Sequence, residues 1–196
     1  MNLKQRILRT FYPHIMRLTK SDRSKGRILL NESLAVPAAC FYDLSAVLNN
    51  GTARRFREFR GKKVLLVNTA SNCGYTGQYQ ELQRLHEEYG DRLAIIGFPA
   101  NDFRDQERGI DRDIAVFCEL NYGVTFPLAA KSCVLKGEGQ NDVYKWLSSP
   151  ELNGWNSQEP DWNFSKYLIN EQGILTHYFG PAISPLSEDL LKEIRD

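Results

Sequence analysis

KKVLLVNTASNCGYTGQYQELQRLHEEYGDRLAIIGF, residues 62–98, decides the fold. Its first seven residues, Lys62–Asn68, form a continuous apolar run, the pattern of a strand covered on both faces. Tyr79, Leu82, Leu85 and Tyr89 then recur at helical spacing, predicting a helix over 78–89 that Gly90 ends. Arg92–Phe98 is a second apolar run of strand length. Strand, helix, strand is a βαβ unit, and its two strands are expected to lie parallel.

The segments outside this unit complete a pattern. Upstream, Phe41–Leu48 and Thr52–Phe56 flank Asn50-Gly51, which predicts a β-hairpin with a type I′ turn. Downstream, Ile114, Phe117 and Cys118 share one side of a helix predicted over 111–122. Lys131–Leu135 reads as a short strand, Asn141–Leu147 as a helix, and Phe164–Ile169 with Ile174–Phe179 as a hairpin about residues 170–173. A last helix is predicted over 185–194. That order is the order of a thioredoxin-like α/β fold: a central mixed sheet flanked by helices, with an N-terminal β-hairpin.

Charge divides the chain unevenly. The formal net charge of the 196 residues is +1. Residues 1–27 hold eight basic side chains and one acidic one, a net of +7, which leaves −6 for the rest. Within this head Leu3, Ile7, Leu8, Phe11, Ile15 and Leu18 fall on one side at helical spacing, interrupted by Pro13. The expected organisation is a basic amphipathic extension and linker over 1–37 and a folded domain over 38–196. The head is read as an anchor to an anionic membrane surface, as a stripe packed against the domain or a partner, or as a solvated terminus. No apolar run reaches the roughly 20 residues of a membrane span, and no signal-peptide core is present, so a cytoplasmic location is expected.

Four cysteines, Cys40, Cys73, Cys118 and Cys133, lie too far apart for C-x-x-C or metal-knuckle spacing. No metal or other cofactor is expected. No phosphate loop or nucleic-acid motif occurs, and His14, His86 and His177 sit in no nucleophile–base pattern. Cys73 stands between a buried strand and a helix, where backbone N–H groups and the helix dipole favour a thiolate. The position three residues on, the second cysteine of a dithiol exchanger, holds Thr76. A lone thiolate there suits attack on a peroxide O–O bond to give a sulfenic acid; the plainer reading is a buried structural cysteine.

NTASNCGYT (68–76), GFPANDFRDQERG (97–109), FCELNYGVTFP (117–127) and WNFSKYL (162–168) resemble, in order and spacing, the motifs of the glutathione peroxidase family. The resemblance runs from about Phe41 to the C-terminus. It implies a peroxidatic role for Cys73, with Gln106, Trp162 and Asn163 completing a catalytic tetrad. Singly, Gln106 reads as a surface residue, Trp162 as core and Asn163 as a turn cap; together they are three neutral donors for a thiolate. Cys118 matches the resolving cysteine of the thioredoxin-dependent branch, although a buried helical cysteine is the other reading. A disulfide from a helix to Cys73 would require part of that helix to move.

The resemblance therefore implies a thiol peroxidase acting on hydrogen peroxide and organic or lipid hydroperoxides, recycled by thioredoxin, or otherwise by glutathione. A peroxide sensor and a membrane-tethered binding module are the readings from other classes. Three departures stand out: Ala100 in place of a cysteine found in many relatives, Asp102 in place of Gln, and Arg108 in place of Pro. Asp102 is expected to bring negative charge near the active-site loop. The short stretch between Trp146 and Trp162 lacks the insertion that tetrameric relatives use, and implies a monomer.

Overall fold

The computed structural model describes residues 26–196. Its main sheet has five strands in the order β1 (Ile28–Leu30), β7 (Leu175–Phe179), β6 (Lys166–Ile169), β4 (Lys63–Thr69), β5 (Leu93–Pro99). β4 and β5 are parallel and every other neighbouring pair is antiparallel, so the sheet is mixed as expected. β2 (Ser45–Val47) and β3 (Ala53–Arg55) form the separate hairpin. The helices are α1 (Gln78–Tyr89), α2 (Asp111–Tyr122), α3 (Asp142–Leu147), α4 (Pro150–Asn153) and α5 (Glu188–Arg195).

Every residue of β4 is buried, as its unbroken apolar run requires. Because side chains alternate across a strand, β4 splits its residues between two cores. Leu65 and Val67 join Tyr79, Leu82, Ile114, Cys118 and Leu190, from α1, α2 and α5. Val64 and Leu66 join Phe41, Phe56, Tyr144, Trp146 and Tyr167 on the other side. Burying one such aliphatic side chain contributes roughly 1.5–3 kcal/mol, and two-sided burial is what fixes the sheet as the middle layer.

Four expectations are corrected. The hairpin turn is not type I′: Gly51 alone has positive φ (82°), and its N–H bonds the carbonyl of Leu48 at 2.9 Å. Phe41–Asp43 forms a 3₁₀ turn and not the start of the strand. Lys131–Leu135 makes only an isolated bridge, Cys133 to Gln140. Ile28–Leu30, inside the segment read as extension and linker (1–37), pairs with β7 as an edge strand. Three residues are too short for an alternation to be seen in sequence. The amphipathic helix read over residues 3–18 lies outside the described residues.

Gly90 follows α1 without a left-handed turn. Its φ is −62°, but a Cβ there would stand 2.7 Å from the carbonyl oxygen of His86.

Candidate active site

Topology brings the predicted site residues to one end of the sheet. β4 and β5 are parallel with Thr69 opposite Pro99, so the loops leaving them, 70–77 and 100–110, emerge side by side. β6 runs antiparallel to β4 with Lys166 opposite Val67, so the residues just before β6 arrive at the same end. Cys73, Gln106, Trp162 and Asn163 occupy these three loops. The carboxyl ends of parallel strands are where such sheets place their sites.

Cys73 is 1% exposed and lies in a series of turns five residues before α1 begins. Its sulfur accepts the N–H of Tyr75 at 3.4 Å. Thr76, where a dithiol exchanger has its second cysteine, accepts the Cys73 N–H through Oγ1 at 3.0 Å. The Thr76 hydroxyl lies 2.9 Å from the Ala70 carbonyl and 2.8 Å from that of Cys73, one of which takes its proton. Burial pushes the Cys73 thiol above its ordinary value, against the N–H of Tyr75, the Trp162 and Asn163 side chains and the N–H of Gly74, which all favour the thiolate. Gln106 is not among the groups that act on the sulfur, and desolvation outweighs those that do.

Asn163 is fully buried and donates from Nδ2 to Gln106 Oε1 at 2.9 Å, so Gln106 reaches the site through Asn163. Trp162 is half-buried, its ring 5.3 Å from that of Phe103. Asn68 holds the Trp162–Asn163 loop from inside the sheet. Its Nδ2 donates to the Trp162 carbonyl at 3.0 Å, its Oδ1 accepts from Ser165 N at 3.0 Å, and its carbonyl accepts from Phe164 N at 2.6 Å. Phe164 has φ of 69°, a conformation that costs a non-glycine residue about 1–3 kcal/mol and persists only where its surroundings dictate it. Fully buried Lys166 adds to the clamp, donating to the carbonyls of Phe164 at 2.8 Å and Ile183 at 2.6 Å.

Cys118 is 0% exposed on α2 and shares a core cluster with Cys73, but both are free thiols. Burial pushes the Cys118 thiol up to about 12, with the Tyr79 side chain acting against the shift and Glu107 adding to it. Asp102 does not turn its charge on Cys73. Its Oδ1 accepts from the Cys133 thiol at 2.7 Å and its Oδ2 from Val134 N at 3.0 Å. The negative charge expected near the active-site loop is present, but the Asp102 carboxylate is committed to Cys133 and Val134.

Glu107, next to Gln106, was not singled out by sequence, and neither were Asn68, Thr76 and Lys166 as site supports. One signal was available: polar or charged residues in segments that otherwise read as buried. Glu107 is 1% exposed and accepts the Ser71 hydroxyl at 2.9 Å, tying the Gln106 loop to the Cys73 loop. Asn72 N adds a bond to Gln106 O at 3.0 Å. Burial raises the Glu107 carboxyl from 4.5 to about 7, opposed by its bonds to Ser71. A raised acid binds its proton more tightly folded than unfolded, so its stabilising contribution is lost as pH rises from 4.5 to about 7. Over that window the loss is about 3 kcal/mol. Glu107→Gln is expected to flatten this part of the stability–pH curve in denaturant titrations between pH 4.5 and 8; an unchanged curve would assign the dependence to other groups.

Comparison with known proteins agrees with the arrangement. The glutathione peroxidase family model matches residues 41–148. A glutathione peroxidase-like peroxiredoxin of Saccharomyces cerevisiae is 42% identical over 160 residues, covering 79% of this chain and 98% of its own. A glutathione peroxidase of Lactococcus lactis is 42% identical over 156 residues, covering 79% and 97%. The crystal structure of GPX1 of T. cruzi superposes with a TM-score of 0.61 at 25% identity, over 80% of this chain and 94% of that one. From its matched residues, its near full-length relatives and its shared fold, the chain belongs to the glutathione peroxidase family.

Proposed function

We propose that this peroxidase reduces hydrogen peroxide and organic or lipid hydroperoxides at Cys73, with thioredoxin as its reductant. The observation that carries this reading is one buried sulfur with no cysteine three residues on, which accepts the Tyr75 N–H and whose thiolate the Trp162 and Asn163 side chains favour. These neutral donors stabilise negative charge on sulfur and on the departing oxygen without offering a competing base. The thiolate attacks the terminal peroxide oxygen and the O–O bond breaks. Cys73 becomes a sulfenic acid, and the alkoxide takes the thiol's proton to leave as alcohol, or as water from hydrogen peroxide.

In the second step the Cys118 thiol attacks the sulfenic sulfur, forming a Cys73–Cys118 disulfide and releasing water; a dithiol then reduces that disulfide. Because Cys118 is wholly buried on α2, this step requires part of α2 to unwind or swing. The description of the yeast relative as a peroxiredoxin agrees with a thiol reductant. Steady-state NADPH oxidation with thioredoxin and thioredoxin reductase, set beside the same assay with glutathione and its reductase, tests the donor. Thioredoxin is expected to sustain turnover and glutathione to give at most a small fraction of it. Mass mapping of peroxide-treated protein under non-reducing conditions is expected to find the Cys73–Cys118 peptide; turnover without that link would remove Cys118 from the reaction.

The basic residues 1–27 are read as contacts to an anionic membrane surface, and the protein as a peripheral, cytoplasmic monomer. No helix among the described residues is long and apolar enough to cross a membrane. Co-sedimentation with anionic and neutral vesicles tests the first reading, and light scattering the second.

A further inference from the structure

We propose that Arg104 is a specificity-determining residue at the mouth of the Cys73 site, favouring organic hydroperoxides that carry a carboxylate. The inference rests on the peroxidase reading and names the substrate class of that same site.

The 101–108 loop holds three acids and two arginines, and the partners of all but one are accounted for. Asp102 accepts from the Cys133 thiol and Val134 N. Asp105 accepts from Asn101 Nδ2 at 2.9 Å and faces the Arg108 guanidinium at 3.6 Å. Glu107 is buried against Ser71. Arg104, exposed, has no carboxylate among the described residues; its guanidinium carbon lies 5.4 Å from the centre of the Trp162 ring. That ring belongs to a side chain that favours the Cys73 thiolate.

The placement of Arg104 is built in. Arg104 and Asp105 both have φ of 51°, two consecutive non-glycine residues in the left-handed region. The bend is closed by Gln106 N to Phe103 O at 3.2 Å, by Asn101 Nδ2 to Asp105, and by Glu107 N to Asn101 Oδ1 at 2.9 Å. The same bend sets Phe103 against one side of Trp162 and the Arg104 cation over its ring. An apolar chain beside Trp162, with its peroxide at Cys73 and its carboxylate at Arg104, satisfies each group.

The test compares linoleic acid hydroperoxide with its methyl ester, which differs only in lacking the charge. Prereduced protein is mixed with each below its aggregation limit, and single-turnover loss of hydroperoxide is measured. The acid is expected to react about fivefold faster than the ester, the worth of one exposed charge pair. Arg104→Lys should retain most of that ratio, Arg104→Gln should bring it to about one, and Arg104→Glu should invert it. A ratio within each variant cancels any general loss of activity. In the unaltered protein the ratio should also fall toward one as salt is raised to about 0.5 M, which requires no variant to fold. A ratio of one in the unaltered protein, or a ratio that Arg104→Gln and Arg104→Glu leave in place, would overturn the proposal. Consumption of neither hydroperoxide would instead defeat the peroxidase reading.

Discussion

Cys73→Ser is expected to lower hydroperoxide consumption by more than about 10³-fold, because a serine hydroxyl without an adjacent base is a far weaker nucleophile than a thiol. Removing one donor should give a smaller and more diagnostic loss. Trp162→Phe and Asn163→Ala are each expected to cost about 10²-fold at neutral pH, in the range found for a single preorganised donor. The sign of the pH effect follows from the thiol. Burial already holds Cys73 above its ordinary value, so its reactivity should rise with pH through the alkaline range. Each lost N–H removes an interaction that favours the thiolate, and should move the midpoint of that rise to higher pH. Cys73 alkylation measured against pH reads the midpoint directly. A midpoint unmoved by both substitutions would show that Trp162 and Asn163 do not act on the sulfur.

Asn68→Ala carries the second large effect, and it joins stability to activity. Asn68 is 0% exposed; its amide supports Trp162 O and Ser165 N. Truncation strands the Ser165 N–H in the interior and leaves the Trp162 carbonyl only the Ser165 hydroxyl, at 3.0 Å. Together with the small cavity, the expected loss is about 3 kcal/mol in equilibrium unfolding. The same change frees the loop that aims Trp162 and Asn163, so the folded fraction should react about 10²-fold more slowly, the scale of a misplacement near 1 Å. A stability loss with an unaltered Cys73 alkylation profile would make Asn68 a purely structural residue.

Both residues show how unevenly the sequence could be read. The βαβ unit was legible because β4 and β5 are apolar throughout and α1 repeats at helical spacing, patterns that local burial writes into the chain. Its predicted helix, 78–89, is the observed one. β1 was missed because three residues pairing with β7, from 147 to 151 positions away, leave no local pattern. Lys131–Leu135 has the composition of a strand, yet it pairs only through the Cys133–Gln140 bridge. Asn68 sat unnoticed at the end of an apolar run, although one amide in a strand buried on both faces must find partners.

The sequence by itself determined the middle of the sheet, the crossover helix, the lone nucleophile with Thr76 three residues on, and the family, each written in short-range patterns or in residue identity. Tertiary structure decided which groups act on Cys73 and in what balance. Sequence spacing cannot show that Gln106 reaches the site through Asn163, or that Asp102 serves Cys133 and Val134 while Arg104 is left facing Trp162. Nor can it show that burial outweighs the donors on the resting thiol. Those outcomes depend on distances between loops up to 90 residues apart in the chain. Only the packing of β4, β5 and β6 into one sheet sets those distances, and desolvation and hydrogen bonding act through them.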